Sequence, residues 1–113
     1  MDCLFCNIIK KNIPSQFIDE NKYAIAFNDI NPKAPTHILV VPKVHISSTL
    51  DIDESNVKYL SEMALLANKI IVSKMISKKG CRWVINTGEH GGQTVSHLHL
   101  HILAGRYMGW PPG

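Results

Sequence analysis

The chain lacks any apolar run approaching the roughly 18 residues of a membrane-spanning helix, and its start, Met1-Asp2-Cys3-Leu4-Phe5-Cys6, has no basic n-region. These absences argue against a membrane partner and a secretory leader, so a soluble, cytoplasmic protein is expected. It also lacks a dense stripe of positive charge. Twelve Lys and Arg against nine Asp and Glu give a formal net charge of +3, but the basic residues are scattered, with tight pairs only at Lys10-Lys11 and Lys78-Lys79. A nucleic-acid groove requires a denser basic stripe interleaved with aromatics, so no nucleic-acid partner is expected and a small anionic ligand fits better. Cysteine is scarce and odd in number, three in all, which argues against a disulfide framework. In a reducing compartment Cys3-x-x-Cys6 reads more naturally as a metal-ligand or redox pair.

What is present suits one globular domain. At 113 residues, 45% hydrophobic and 19% charged, the chain is long enough for a single core and too short for two; the domain is expected to span residues 1–113. Leu4 to Ile9 reads as a short amphipathic helix or turn. Gln16 to Glu20 and Tyr23 to Phe27 read as two strands around Asn21-Lys22, and His37 to Val41 as a third strand stopped by Pro42. From Asp51 the apolar period changes to three and four, through Val57, Leu60, Met63, Ala64, Ala67, Ile70, Ile71 and Met75. The spacing predicts one long helix, with Asp51 and Glu54 as a capping box and Gly80 as its terminator. Cys81 to Asn86 and His97 to Leu103 complete five strands, joined by the loop from Thr87 to Gln93. The expected fold is α+β: a five-stranded, largely antiparallel sheet with the long helix on one face and a short N-terminal helix.

The most informative segment is His97-Leu98-His99-Leu100-His101-Ile102. Strand period puts the three histidines on one face and Leu98, Leu100 and Ile102 on the other. A neutral imidazole can attack phosphorus if its other ring nitrogen is held by an acceptor such as a backbone carbonyl. An amine leaving group then needs an acid, because it cannot depart as an amide anion. Immediately upstream, Gly91-Gly92-Gln93-Thr94 lets backbone N–H groups approach an anionic oxygen and adds a hydroxyl. His45 follows Pro42-Lys43-Val44, and with Cys3, Cys6 and one triad histidine it would complete a Cys2His2 set suited to tetrahedral zinc. His90 has no companion and reads as solvated loop.

These segments, together with Asn86-Thr87-Gly88, Asp29-Ile30-Asn31-Pro32, Ala34-Pro35-Thr36-His37 and the tail Gly105-Arg106-Tyr107-Met108-Gly109-Trp110-Pro111-Pro112-Gly113, resemble the histidine triad (HIT) family. The similarity is to its branch of histidine-triad nucleotide-binding proteins and spans essentially the whole chain. The resemblance implies a homodimer whose two sheets join, with residues 104–113 as a tail near the partner's active site, and purine nucleoside phosphoramidase or adenylyl-transferring hydrolase activity. It makes His99 the nucleophile of a nucleotidyl-histidine intermediate. His101 would contact phosphate oxygens, Thr94 the phosphate or leaving group, and His37 the proton network. Leu4, Phe5, Ile8, Ile13, Phe27, Ile30 and Leu39 would surround the purine and nearby ribose. Asp29 would bind the ribose hydroxyls and Asn86 the phosphate, with Gly92, Gln93 and Val95 completing the nucleotide-binding set. His97 would orient the strand or ligate metal. The Cys3, Cys6, His45, His97 pattern occurs in some members only, which makes zinc a structural option; no cofactor is required for catalysis. Thr94 stands where this branch commonly has serine, and Gly109 where a larger residue is usual, departures that bear on substrate preference.

Other readings compete. A metal-dependent hydrolase would use the strand histidines to hold zinc and activate water, and would lose activity in chelator. A nucleotide-binding regulatory module would bind without turnover. A dinucleoside polyphosphate hydrolase would keep the chemistry on another substrate, although the Trp110-Pro111-Pro112-Gly113 tail resembles the phosphoramidase branch.

Overall fold

Cys3 starts the first helix as its cap: its Sγ accepts the Cys6 N–H at 3.3 Å, and the helix α1 runs Leu4–Ile9. The computed structural model describes residues 3–113; Met1 and Asp2, within the expected domain span, lie outside the described residues. Next come the strands β1 (Phe17–Glu20) and β2 (Ala24–Asn28). Their turn is set by the Asn21 carboxamide, whose Oδ1 accepts the N–H of both Tyr23 and Ala24 at 2.8 Å. β3 (Thr36–Pro42) follows, then the long helix α2 (Val57–Ser73), β4 (Arg82–Val84), the single-turn helix α3 (Gly88–Gly91) and β5 (Leu100–Ala104). The strands form one antiparallel sheet in the order β1-β2-β3-β5-β4.

Period-two alternation divides the apolar residues between the two faces of this sheet. Ala24 and Ala26 of β2, Ile38 and Val40 of β3, and Leu98, Leu100 and Ile102 pack against Met63, Leu66, Ala67, Ile70 and Ile71 of α2. The opposite residues, Ile25, Phe27, Leu39 and Val41, pack with Cys3, Phe5 and Ile8 of α1. The sheet therefore lies between a long and a short helix. Its α1 face carries the histidines.

The long helix is shorter than its apolar stripe predicts. Asp51 belongs to a separate 3-10 turn, Thr49–Asp51, capped by Ser48, and Asn56 occupies the N-cap of α2 without a side-chain cap bond. The Asp51–Glu54 capping box does not form. In its place Asp53 Oδ1 accepts from Ser55 N–H at 2.8 Å and Asn56 Oδ1 from Asp53 N–H at 2.8 Å, and such local side-chain bonds compete with helix. The other end stops at Ser73, and Met75, in the left-handed region with φ +60°, begins a second 3-10 turn at Ile76–Lys78. Gly80, φ +86°, closes that turn rather than the helix. Val57 and Met75 of the expected stripe are exposed, while Leu66, outside it, is buried. No helix of the described residues is long and apolar enough to cross a membrane.

Candidate active site

The ladder of β5 begins only at Leu100, so His97 and His99 precede it and His101 alone of the three lies within it, opposite Leu39 of β3 and Val84 of β4. The alternation nevertheless continues upstream, held by a 2.6 Å bond from Leu98 N–H to the Ile46 carbonyl. Leu98 thus enters the α2-side core, and His97 and His99 stay on the α1 face, both buried.

Each imidazole has one nitrogen fixed by a partner, which determines what the other nitrogen offers. His99 Nδ1 lies 2.7 Å from the His97 carbonyl oxygen. A carbonyl only accepts, so Nδ1 carries the proton and Nε2 is left with a bare lone pair. At His37 the logic reverses: the Lys33 N–H donates to Nδ1 at 3.0 Å, so a neutral His37 carries its proton on Nε2. That Nε2–H lies 2.9 Å from His101 Nδ1 and 3.5 Å from Asp29 Oδ2. His101 then accepts at Nδ1 and carries its proton on Nε2, a buried atom with no hydrogen-bond partner. One pocket therefore contains a free imidazole lone pair on His99 and a free imidazole N–H on His101, with the rings 4.9 Å apart.

Burial favours the neutral form of these rings. It lowers the His101 pKa to about 4, assisted by the neighbouring His99 and His37. It also pushes His37 below the usual histidine range, against the opposing carboxylate of Asp29. His99 shifts the same way from burial, opposed by the His97 carbonyl and Asp29. A neutral His99 is the form that can act as a nucleophile.

The histidines open into a cleft of about 520 Å³, lined by Leu4, Phe5, Ile8, Ile13, Phe27, Asp29, Ile30, Leu39, Asn86, Gly92, Thr94 and Val95 together with His37, His99 and His101. Its walls are apolar, and Phe5 meets Phe27 and His99 edge-on at 5.6 and 5.0 Å. Ile30 is 94% exposed, so its side chain gains contacts only when something lies on it. Asp29 Oδ1 accepts the Asn31 N–H at 2.8 Å, which fixes the carboxylate at the rim. A size and lining of this kind suit a small ligand with one apolar and one polar end.

The Gln93 side chain turns away from the cleft. Its Nε2 donates to the carbonyls of Ser47 at 2.7 Å and Val95 at 3.0 Å, and its Oε1 accepts the Gly88 N–H at 3.1 Å. The carboxamide is consumed in holding the loop, and the side chain does not line the cleft. Sequence reading missed Lys33 and the Pro42 carbonyl. Both act through backbone groups, for which side-chain patterns carry no signal. His90 is exposed on α3.

Behind the cleft, Cys3, Cys6, His45 and His97 converge, with their ligand atoms all within 4.8 Å of one another. His97 Nδ1 lies 3.3 Å from Cys3 Sγ, 3.5 Å from Cys6 Sγ and 3.2 Å from His45 Nδ1, and His45 Nδ1 lies 3.4 Å from Cys6 Sγ. Tetrahedral zinc, with Zn–S about 2.3 Å and Zn–N about 2.0–2.1 Å, requires S···N near about 3.6 Å and N···N near about 3.3 Å. His97 Nε2 donates to the Pro42 carbonyl at 3.1 Å, leaving Nδ1 unprotonated as a ligand must be. The four residues fit zinc. Asp29, His37 and His101 also converge, but the Lys33 N–H requires the proton on His37 Nε2, the atom that would face a metal. That trio is joined through the His37 Nε2–H, which faces His101 Nδ1 and Asp29 Oδ2.

An antiparallel sheet that delivers alternating histidines to an apolar cleft marks a small α+β protein with a small-ligand site on its α1 face. A family model described as scavenger mRNA decapping enzyme C-term binding matches residues 2–110. The 14 kDa zinc-binding protein of Zea mays is 43% identical over 97% of this chain and 87% of its own length. The purine nucleoside phosphoramidase of Escherichia coli K12 is 39% identical over 96% and 91%. The crystal structure of a HIT family hydrolase from Legionella pneumophila Philadelphia 1 superposes with a TM-score of 0.95 at 43% identity, covering 99% of this chain and all of that one. The chain belongs to the histidine triad family.

Proposed function

We propose that the protein hydrolyses purine nucleoside 5′-phosphoramidates or acyl-adenylates through a covalent intermediate on His99. The observation that carries the reading is the opposed pair in one cleft: a lone pair on His99 Nε2, enforced by the His97 carbonyl, beside an unpartnered N–H on His101. The phosphoramidase activity named for the E. coli relative supports it.

His99 Nε2 attacks the α-phosphorus, forming N–P as the bond from phosphorus to the leaving amine breaks. The His97 carbonyl stabilises the imidazolium so formed. His101 Nε2–H donates to a phosphate oxygen, and Thr94, which lines the cleft beside Gly92, gives its hydroxyl proton to the departing amine, a proton that the attacking water later returns. Water then attacks phosphorus, His99 leaves, and nucleoside monophosphate is released with no net change in the protein. Phe5, Ile8, Phe27 and Leu39 enclose the base, and Asp29 accepts from the ribose hydroxyls. Zinc bound by Cys3, Cys6, His45 and His97 would tie α1 to the histidine segment and takes no part in the chemistry. By family resemblance the active unit is one HIT domain in a homodimer, with residues 104–113 reaching toward the partner's site.

Incubating metal-stripped protein with an adenosine phosphoramidate of an aromatic amine tests this. Release of nucleoside monophosphate, lost most severely in His99→Ala, is expected. Release only after zinc is restored would favour a metal-activated water instead.

A further inference from the structure

The His37–His101 pair depends on a residue far along the chain. Lys33, whose N–H fixes the His37 tautomer, is gripped at its own carbonyl by Arg106, through Nε at 3.3 Å and Nη2 at 3.0 Å. The third guanidinium nitrogen, Nη1, donates to the Tyr107 carbonyl at 3.2 Å. Gly105, at φ +94°, lies so close to the Pro35 ring that a Cβ on it would stand 2.8 Å from Pro35 Cβ. The turn that leaves β5 therefore closes onto the loop that enters β3. Lys33 is held at its carbonyl while its amide faces His37.

We propose that Arg106 is a positioning residue for the reaction: it fixes the Lys33 amide, which sets the tautomer of His37 and, through it, the tautomer of His101. The relay has two neutral arrangements. In the observed one, the Lys33 N–H donates to His37 Nδ1, His37 Nε2–H donates to His101 Nδ1, and His101 Nε2–H faces the cleft. In the other, both protons move across their rings. His37 Nδ1–H then opposes the Lys33 N–H, and His101 turns a lone pair toward a phosphate oxygen. Two donors facing each other at a partly buried contact, and two acceptors facing each other in the cleft, both disfavour that state. The selection acts only while the Lys33 amide stays in place. A guanidinium fork on its carbonyl is a charge-assisted hold that a single donor does not reproduce.

This rests on the reading of His99 as nucleophile and His101 as the phosphate-facing donor. The experiment uses the full chain with Arg106→Ala and Arg106→Lys, read by kcat and KM on an adenosine phosphoramidate and by ¹⁵N chemical shifts of the His37 and His101 rings. The expected result for Arg106→Ala is a fall in kcat of about tenfold with KM changed less than about twofold. The ring nitrogens of His37 and His101 should move from the distinct shifts of one tautomer toward averaged values. Arg106→Lys should fall between wild type and Arg106→Ala on both readouts, and it carries the test if Arg106→Ala does not fold. Unchanged kcat with unchanged ¹⁵N shifts, or a raised KM with kcat intact, would overturn the proposal. If the wild type turns over no phosphoramidate, the functional reading fails, while the ¹⁵N shifts still decide whether Arg106 sets the tautomers.

Discussion

The side chain of His99 is bonded to the backbone of His97, two residues earlier, with Nδ1 2.7 Å from the carbonyl oxygen. The same His97 donates through Nε2 to the Pro42 carbonyl and turns Nδ1 toward Cys3, Cys6 and His45. One residue thus fixes the His99 tautomer with its backbone and joins the cysteine–histidine cluster with its side chain.

Metal removal should separate stability from chemistry. The protein should bind one zinc per chain, and Cys6→Ser should bind it much more weakly. Because bound metal stabilises only the folded state, stripping should lower the thermal midpoint by about 5 °C or more, while turnover of the molecules that stay folded persists. An unchanged midpoint with no zinc in the purified protein would mean that the cysteines are simply reduced and packed.

Asp29 should discriminate by sugar. Replacing it with Ala removes an acceptor at the rim, and the loss of one charged hydrogen bond corresponds to roughly tenfold in affinity. KM for a ribonucleoside phosphoramidate should rise by about that factor, and KM for the 2′,3′-dideoxy analogue should barely change. Equal effects on both would remove Asp29 from ribose binding.

Gln93 tests loop support against direct contact. Gln93→Leu removes the bonds to Ser47, Val95 and Gly88 and should cost about 1–2 kcal/mol of stability, measured by urea unfolding. The affinity of the folded variant for nucleoside monophosphate should stay within a factor of about three. A large loss of affinity with no loss of stability would restore the direct contact expected from the sequence.

Acid should weaken the fold through the buried rings. His101 titrates near 4 when folded, against 6.5 in the unfolded chain, and His37 is shifted the same way. Between those values the unfolded chain binds protons that the folded chain refuses. Stability is therefore fully present above about 6.5 and declines as pH falls toward 4, at no more than about 1.4 kcal/mol per pH unit per histidine. Urea midpoints across this range should show the decline, with a shallower slope in His101→Gln; parallel slopes would assign it to other groups.

Much of this was legible because period two is a strong constraint. Three histidines alternating with Leu98, Leu100 and Ile102 have only one arrangement on a half-buried sheet, and that arrangement persists even where the ladder has not begun. Cys3-x-x-Cys6 and His45 could be named as a ligand set from their side-chain chemistry, although only the folded sheet brings together residues 39 and 91 positions apart. The ends of α2 were not legible. Asp53, Ser55 and Asn56 look like helix starters, but their side chains close local turns instead, and Met75 adopts a left-handed conformation that its residue type does not advertise. Nor were the Lys33 amide and the Pro42 carbonyl, since every residue has a backbone and only the fold decides which groups meet an imidazole. The Gln93 carboxamide turns to Ser47, Val95 and Gly88, a direction that spacing does not give.

If His99 is the nucleophile, it becomes covalently bonded to phosphorus during turnover. Intact-protein mass spectrometry of metal-stripped enzyme, acid-quenched within the first turnovers on an adenosine phosphoramidate, tests it most directly. A protein species heavier by one adenylyl group is expected, mapped by peptide fragmentation to His99 and absent in His99→Ala. Steady release of nucleoside monophosphate with no adduct under rapid quench, or an adduct on another residue, would contradict it.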